Sequence, residues 1–351
     1  MTPSLPPAEI SWFGALCDDD YEQLGVPNDD LRSSWNHCRD IVLAAENGGF
    51  HNILLPSGYS LGIDTVSFAS SIAALTTNIK LLVAVRCGET WPPQLARQLA
   101  TLNQTLNGRL TVNIISSEMP GEVLDSPSRY RRTLEVMHIL KTLVAGQRLD
   151  FDGEFYSLHI DPPRICVENP TTLDFYFGGL SDEARDVAAQ GADTYLMWPD
   201  TEDMIRQTMH DLQSRTTNHG RTLRFGYRCH VIVRDTEEAA RAAADTLIAA
   251  VDAEEGARIR EKSLDSQSTG VRRQAELRES SANDGFAEQY LWTGIGRARS
   301  GCGAAIVGTP QQVAEKINRY RAMGIGAFIL SGYPHIDECH IFARDVLPLL
   351  R

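Results

Sequence analysis

The sequence predicts an α/β protein that folds as a single (β/α)8 barrel. Eight short apolar runs of strand length are each followed by a segment with helical periodicity, which is typical of parallel strands joined by crossover helices. The runs begin near residues 10, 51, 80, 110, 174, 193, 223 and 327. We expect one domain over residues 1–351, with the active site at the carboxyl ends of the strands.

Each element of the first half follows from a local signal. Glycine readily takes the left-handed conformation that closes a helix, so Gly48-Gly49 ends the first one. Phe151 to Tyr156 contains an Asp-Gly turn and predicts a hairpin. The predicted strands are Ile10 to Leu16, His51 to Leu55, Lys80 to Val85 and Leu110 to Ile115, and the helices are Trp35 to Asn47, Thr65 to Leu75, Pro92 to Leu106 and Ser128 to Val144.

The second half keeps the same alternation but contains one long interruption. Its predicted strands are Asp174 to Phe177, Asp193 to Met197, Leu223 to Val233 and Ala327 to Ser331, and its helices are Asp182 to Gln190, Glu202 to Asn218, Glu237 to Val251, Pro310 to Met323 and Ile336 to Leu350. Residues 252–299 are polar and break the rhythm. A structureless stretch of this length is usually a functional lid or a disordered segment, so we expect a lid-like insertion before the last strand.

Composition limits the partners of the protein. The net charge is 33 − 46 = −13 without a basic tract, which disfavours nucleic acid. The Pro-rich start lacks the apolar core of a signal peptide, and no run approaches a membrane span, so a cytoplasmic protein is expected. The seven cysteines lack C-x-x-C spacing, and we predict neither disulfides nor a metal site. Asp18-Asp19-Asp20 is interpreted as a solvated loop.

The strand from Arg224 to Val233 carries an unusual pair of polar residues. Because side chains alternate along a strand, Arg228 and His230 share one face, about 7 Å apart, while Tyr227 and Cys229 lie on the other. A cation and an imidazole on one face indicate an anion site. The alternative is an edge strand with one solvated face.

Polar residues follow several of the predicted strands and would converge at one mouth of the barrel. They are Asn113, Ser116, Ser181, Trp198, Arg228, His230, Tyr333 and His335. Gly178-Gly179 precedes Ser181 where a helix opens directly after a strand, and backbone N–H groups at such a helix start can hold a phosphate. Neither a Walker motif nor a G-x-G-x-x-G motif is present, so a P-loop or Rossmann site is disfavoured.

Several segments together resemble a known family. They are Leu82-Val-Ala-Val-Arg86, Ala96-Arg-Gln-Leu-Ala-Thr-Leu102, Asn107-Gly-Arg109, Ser128-Arg-Tyr130, Phe177-Gly-Gly179, Asp193-Thr-Tyr-Leu-Met-Trp198, Arg228-Cys-His-Val-Ile-Val-Arg234, Trp292-Thr-Gly-Ile-Gly296 and Ser331-Gly-Tyr-Pro-His335. From about residue 10 to the C-terminus the chain resembles the FMNH2-dependent alkanesulfonate monooxygenases of the bacterial-luciferase-like superfamily.

The resemblance implies an activity and roles for individual residues. It implies an enzyme that takes FMNH2 from a separate NAD(P)H-dependent flavin reductase and uses O2 to cleave a C–S bond, giving an aldehyde and sulfite. Dimers or tetramers are common in the family. Trp198, Arg228, His230, Tyr333 and Arg299 are implied to line the flavin and sulfonate pocket. Tyr130 and Ser181 are implied to contact the flavin phosphate, with Asn113, Ser116 and Gly178-Gly179 beside them, and His335 to bind substrate.

The chain also departs from the family pattern. Cys17-Asp-Asp-Asp20 stands where His-Gly-Asp-Gly is common, Leu61-Gly-Ile-Asp64 where Cys-Glu-Asp is common, and Asp125-Ser-Pro127 where a phosphate-contacting His is usual. The sulfonate end is retained while its surroundings change. We therefore expect a polar sulfonate such as the sugar sulfoquinovose rather than a linear alkanesulfonate. The alternatives are a flavin- or F420-dependent oxidoreductase acting on another substrate, and a non-catalytic flavin-binding protein.

Overall fold

The computed structural model describes residues 5–60, 62–251, 268–299 and 301–350. In chain order the strands are β1 (Glu9–Phe13), β2 (Asn52–Leu55), β3 (Lys80–Arg86), β4 (Leu110–Ile115), β5 (Leu149–Asp152), β6 (Ser157–Ile160), β7 (Phe175–Phe177), β8 (Thr194–Met197), β9 (Arg224–Val233), β10 (Phe286–Glu288), β11 (Leu291–Trp292), β12 (Ala305–Gly308) and β13 (Ile325–Ser331).

The helices lie between these strands. They are α1 (Trp35–Gly48), α2 (Thr65–Ile72), α3 (Pro92–Thr105), α4 (Ser126–Val144), α5 (Arg164–Glu168), α6 (Asp182–Gly191), α7 (Glu202–Asn218), α8 (Glu237–Ile248), α9 (Thr269–Glu279), α10 (Pro310–Ala322) and α11 (His335–Asp345). Helix α4 begins two residues earlier than predicted, because Asp125 caps it by accepting from Ser128 N and Pro127 suits its first turn.

Eight parallel strands close into a barrel in the order β1-β2-β3-β4-β7-β8-β9-β13, and β13 pairs back onto β1. Each pairing is parallel, which requires the helical crossovers that the sequence pattern predicts. All eight predicted barrel strands are present. The (β/α)8 prediction is therefore confirmed, and the hairpin β5–β6 lies at the predicted Asp-Gly turn.

The layer between barrel and helices is apolar and closely packed. Trp12 is fully buried, and its ring centroid lies 5.2 Å from that of Phe50 and 6.1 Å from that of Phe342. Its indole Nε1 donates to the carbonyl of His335 at 3.2 Å. The first strand is thus fixed to the loop after the last strand, which lies at the carboxyl face of the barrel.

Strand β9 is interior, so the edge-strand interpretation is wrong. It pairs with β8 and β13 along its first part and with β12 through His230–Val233. The described part of the predicted insertion is also ordered, because it contains α9 and the strands β10 and β11, which extend the sheet beyond β12. The prediction of a structureless segment is thus wrong for the described residues 268–299. Residues 252–267 and Leu61 lie outside the described residues, and the lid stays a prediction.

No helix within the described ranges is long and apolar enough to cross a membrane.

Candidate active site

A cavity of about 660 Å³ opens at the carboxyl ends of β4, β7 and β8. Seven of the side chains and glycines that the sequence predicts for a site line this one cavity: Asn113, Ser116, Tyr130, Gly178, Gly179, Ser181 and Trp198. Apolar walls come from Ile114, Ile115, Leu196 and Met197. A concave cavity that combines apolar walls with convergent polar groups is the usual form of a cofactor or substrate site.

The Gly178-Gly179 turn allows the chain to pass close to its neighbours. A Cβ at residue 178 would lie 2.4 Å from the carbonyl oxygen of Leu196. Gly179 has φ +151°, and a Cβ there would lie 2.7 Å from Ala184. The hydroxyl of Tyr195 donates to the Gly179 carbonyl. Glycine is required at both positions because a side chain would push the turn off β8 and out of the cavity wall.

Ser181 is the N-cap of α6. Its Oγ accepts from Ala184 N at 3.2 Å, which leaves its O–H free to donate toward the cavity. The acidic residue that follows, Asp182, pairs with Arg215 at 2.9 Å. The positive end of the helix and a hydroxyl donor therefore face the cavity together, as the phosphate-site prediction requires.

Arg129 lines the cavity but is not among the site residues that the sequence predicts. Its Nη1 donates to the Leu124 carbonyl at 2.7 Å and lies 3.6 Å from a carboxylate oxygen of the exposed Glu118. Its Nε and the Oγ of Ser116 are both buried without a hydrogen-bond partner among the described residues. The sequence signal for Arg129 is the Ser128-Arg-Tyr130 motif, which places it next to the predicted ligand Tyr130.

These lining groups fit the phosphate end of a flavin mononucleotide. Buried polar atoms without partners are costly, so cavities that contain them usually bind a complementary group. Ser116, Ser181 and the cationic Arg129 supply donors, and the apolar wall suits a flat ring. Their roles as ligands stay predictions.

A second group of predicted residues lies on β9 and β13. Nη2 of Arg228 lies 2.8 Å from Oγ of Ser331, and this Oγ lies 2.8 Å from Nδ1 of His230. The Nε2 of His230 lies 3.2 Å from the Cys302 carbonyl oxygen. Ser331 is not among the predicted site residues, although it opens the Ser331-Gly-Tyr-Pro-His335 motif.

Arg228 is a buried cation without a carboxylate partner among the described residues. It is 5% exposed, it donates to Cys229 O and Ser331 Oγ, and its guanidinium lies 4.2 Å from the ring centroid of Phe13. Burying a charge costs several kcal/mol unless a counter-charge is present, so such an arginine is usually a ligand for an anion.

Tyr333 and Arg299 lie beside Arg228 and His230. The rings of His230 and Tyr333 are stacked with centroids 5.2 Å apart, and the Arg299 guanidinium lies 5.3 Å from the Tyr333 ring. Burial raises the pKa of Tyr333 despite the charges of Arg299 and Arg228, so the phenol keeps its proton at neutral pH. Arg299 also forms an ion pair with Asp18, which is therefore not simply a solvated residue.

The acidic run is not a solvated loop, because Asp20 is fully buried. Its carboxylate accepts from His335 N at 2.8 Å, from His335 Nδ1 at 2.7 Å and from His37 Nε2 at 3.0 Å. Burial disfavours its ionisation, but the charge and hydrogen bonds of His335 and the bond from His37 hold the pKa of Asp20 well below its ordinary value. The prediction was wrong because these partners lie far away in sequence.

Trp198 lies where the cavity meets the described part of the insertion. A Cβ on Gly270 of α9 would lie 2.9 Å from its indole ring. Helix α9 is fixed nearby, because Arg273 donates to Asp200 at 2.6 and 2.8 Å and Gln274 donates to the Pro199 carbonyl at 2.7 Å. The insertion thus contributes to the wall of the cavity through residues 268–270.

Comparisons with known proteins agree with this architecture. Residues 16–326 match the model of the luciferase-like monooxygenase family. The chain is 61% identical over 347 residues to a sulfoquinovose monooxygenase of Novosphingobium aromaticivorans, covering 97% of this chain and 96% of that protein. It is 50% identical to a sulfoquinovose monooxygenase of Agrobacterium fabrum, covering 99% of this chain and 91% of that protein.

A solved structure is similar at the level of the fold. EDTA monooxygenase from Chelativorans sp. BNC1 matches with a TM-score of 0.74 and 14% identity, covering 98% of this chain and 94% of that one. The match of the family model spans most of the chain, and both curated relatives cover nearly all of it. The resemblance predicted from the motifs is confirmed: the chain belongs to the luciferase-like monooxygenase family.

Proposed function

We propose that this protein is a two-component, FMNH2-dependent monooxygenase that uses O2 to cleave the C–S bond of sulfoquinovose or a closely related polar sulfonate. The products would be an aldehyde, sulfite, water and oxidised FMN, so that FMNH2 supplies the two electrons that balance the reduction of O2. The proposal is carried by the 61% identity to a sulfoquinovose monooxygenase over 97% of the chain.

The cavity residues have a defined task in this proposal. Ser116, Ser181 and Arg129 would hold the flavin phosphate, with Tyr130 at the same end of the cavity. The apolar walls from β4 and β8 would hold the ring and keep water away from it. When bound, the reduced flavin supplies the electrons and the site at which O2 reacts.

The second residue group would bind the sulfonate. A sulfonate stays anionic at every physiological pH, and Arg228 is a permanent cation with no carboxylate within ion-pair distance in the described part of the chain. Arg299 is a second cation, and its guanidinium lies 5.3 Å from the ring of Tyr333. The substrate anion would supply the counter-charge that Arg228 lacks and would compete with Asp18 for Arg299.

Tyr333 would be a neutral donor beside the sulfonate. Its pKa is raised by burial, so its hydroxyl keeps a proton that can be donated to an oxygen of the substrate. Trp198 would close the side of the pocket next to α9, and His335 would contact the substrate from the loop after β13. A separate NAD(P)H-dependent flavin reductase would supply FMNH2, and we propose a cytoplasmic dimer or tetramer.

The direct test is sulfite release. The purified protein would be combined with a flavin reductase, FMN, NAD(P)H and O2, and offered sulfoquinovose and linear alkanesulfonates. We expect sulfite from sulfoquinovose at a higher kcat/KM than from any linear sulfonate, and none without reductase. Absence of sulfite from every sulfonate, in a protein that binds FMNH2, would contradict the proposal and favour another substrate class.

A further inference from the structure

We infer that His230 and Ser331 form a neutral, unidirectional hydrogen-bonded clamp that positions Arg228 and the chain segment carrying Arg299, and that His230 is a positioning residue rather than an acid or base. The inference rests on the proposed function only in taking the sulfonate as the group that Arg228 binds. The geometry of the clamp is independent of the substrate.

The strand register brings the members of the clamp together. In the parallel pairing of β13 with β9, Ser331 lies opposite His230 and Ile329 lies opposite Arg228. Arg228 and His230 point to the same face because they are two residues apart. Ser331 can therefore reach both, and all three are buried, with exposed fractions of 5% or less.

The direction of each hydrogen bond follows from its end groups. A guanidinium only donates and a carbonyl oxygen only accepts. Arg228 Nη2 thus donates to Ser331 Oγ, and His230 Nε2 must carry the hydrogen that reaches the Cys302 carbonyl. The remaining nitrogen, Nδ1, must then accept from the Ser331 hydroxyl at 2.8 Å. The opposite tautomer would place a lone pair of Nε2 against the carbonyl oxygen.

Electrostatics keep this imidazole uncharged. Burial, followed by the charge of Arg228, lowers the pKa of His230 well below its ordinary value. Protonation would also place a hydrogen on Nδ1, and the Ser331 hydroxyl would then have to accept from both Arg228 and His230. With both ring nitrogens occupied, His230 has no free atom for proton transfer to or from a substrate. His230 thus supports the anion site that the sequence predicts on this strand face, and Arg228 supplies its charge.

The clamp also reaches the segment that follows Arg299. His230 N donates to Ala304 O at 3.1 Å, and Cys302 Sγ lies 3.5 Å from Arg228 O. The Nε2 bond to Cys302 adds a side-chain link to the same segment. Together with the contact of Cys229 Sγ with Ala304 O at 3.4 Å, these contacts bind residues 302–304 to β9, three residues after Arg299. His230 is placed to fix the separation of the two cations that would bind one sulfonate.

The first experiment observes the imidazole directly. The protein would be labelled with 15N-histidine, and the His230 signals would be assigned by their loss in a His230→Gln variant. We expect one protonated and one unprotonated ring nitrogen, with Nε2 protonated, unchanged from about pH 5.5 to 8.5. Titration in that range, or the Nδ1-protonated tautomer, would overturn the inference. This readout needs neither flavin nor substrate.

The second experiment removes the central hydroxyl. In Ser331→Ala, Arg228 loses an acceptor and Nδ1 loses its donor, so we expect KM for the sulfonate to rise about 10- to 100-fold while kcat falls less. Ser11→Ala is the matched control, because Ser11 is an equally buried strand serine of the same barrel. An equal effect of both substitutions on KM, or a Ser331→Ala protein with wild-type KM, would refute the clamp.

The two experiments separate this inference from the proposed function. If no sulfonate is turned over, the proposed function fails, and the tautomer measurement still decides whether the clamp exists. If sulfite is released but His230 titrates near neutral pH, the clamp fails and the proposed function stands.

Discussion

The carboxylate of Asp20 accepts two hydrogen bonds from His335, at 2.8 Å from the backbone N–H and at 2.7 Å from Nδ1. This contact joins the loop after the first strand to the loop after the last one, across 315 positions of sequence. It holds a hydrogen on Nδ1 of His335, whose Nε2 is buried without a partner among the described residues. Tyr333 and His335 are in edge-to-face contact, so Asp20 also supports the tyrosine.

Asp20→Asn should therefore destabilise the fold. An amide has one acceptor oxygen where the carboxylate has two, so its NH2 group would face a donor from His335 or His37. We expect a loss of about 2 to 4 kcal/mol in the free energy of unfolding at pH 7. Denaturant titration measures it, with Asp19→Asn as the neighbouring control.

The pH dependence of this loss has a definite sign. The pKa of Asp20 is lower in the folded protein than in the unfolded chain. The ionised carboxylate therefore stabilises the fold at a pH above the unfolded-state pKa, and this stabilisation is lost as the pH falls. The difference between wild type and Asp20→Asn should shrink below about pH 4. A difference that is constant with pH would show that the charge of Asp20 is not what stabilises the loops.

Arg129→Ala should weaken binding of FMN much more than binding of riboflavin. The substitution removes a cation from the end of the cavity assigned to the phosphate, which riboflavin lacks. We expect about a 10-fold or greater loss for FMN and less than about a 2-fold change for riboflavin. Flavin fluorescence titration measures both affinities.

A control for Arg129 lies on the same helix. Arg131 is half exposed and pairs with Glu154 at 2.7 Å, so Arg131→Ala removes an equal charge away from the cavity. We expect it to leave both affinities nearly unchanged. Equal losses for FMN and riboflavin in Arg129→Ala would mean that this arginine supports the cavity wall and does not bind phosphate.

Glu338→Gln should change how stability depends on pH. Glu338 is buried on α11, and burial raises its pKa to about 7 even though Arg234 lies 2.7 Å away. Because the pKa of Glu338 is higher in the folded protein than in the unfolded chain, the protonated side chain contributes stability at a pH below the unfolded-state pKa. This contribution is lost as the pH rises through about 7. Relative to the variant, wild type should lose about 2 to 3 kcal/mol between pH 5 and 8.

Thermal or denaturant unfolding at several pH values tests this prediction. Glu315→Gln is the control, because Glu315 is exposed on α10 and should show no such pH-dependent difference. A wild-type protein that gains stability relative to Glu338→Gln as the pH rises would show that the ion pair with Arg234 dominates over burial.

The barrel was predictable from sequence because its strands are encoded locally. Each is a short apolar run bounded by helix signals, so even the three-residue β7 was placed correctly. The sequence does not predict the strands β10, β11 and β12, because runs of two to four residues are too short to show a periodicity. They form strands through tertiary pairing: β12 pairs with the end of β9 beyond the barrel, β11 pairs with β12, and β10 pairs with β11.

The site was predictable where one strand end or one motif carried the signal. Gly178, Ser181 and Trp198 line one cavity, whereas Arg228, His230, Tyr333 and His335 are not among its lining residues, and the ligand roles of all of them stay predictions. Asp20 and Ser331 were not predicted as site residues, because their partners, at positions 335 and 230, are far away in sequence. The sequence does not distinguish a buried carboxylate from an exposed one. Asp20 is buried because the imidazoles of His37 and His335 donate hydrogen bonds to it in the folded protein.

The central claim is that Arg228, a buried cation without a carboxylate partner among the described residues, binds the sulfonate, and one comparison tests it most directly. Sulfite release from sulfoquinovose would be measured for wild type, Arg228→Lys and Arg228→Ala, with thermal unfolding of each. We predict that Arg228→Ala removes about 2 to 5 kcal/mol of transition-state stabilisation, which lowers kcat/KM roughly 30-fold to several thousand-fold at an unchanged melting temperature. Arg228→Lys should recover only part, because it keeps the charge but loses the fork. Activity retained in the folded fraction of a strongly destabilised Arg228→Ala protein would contradict the claim.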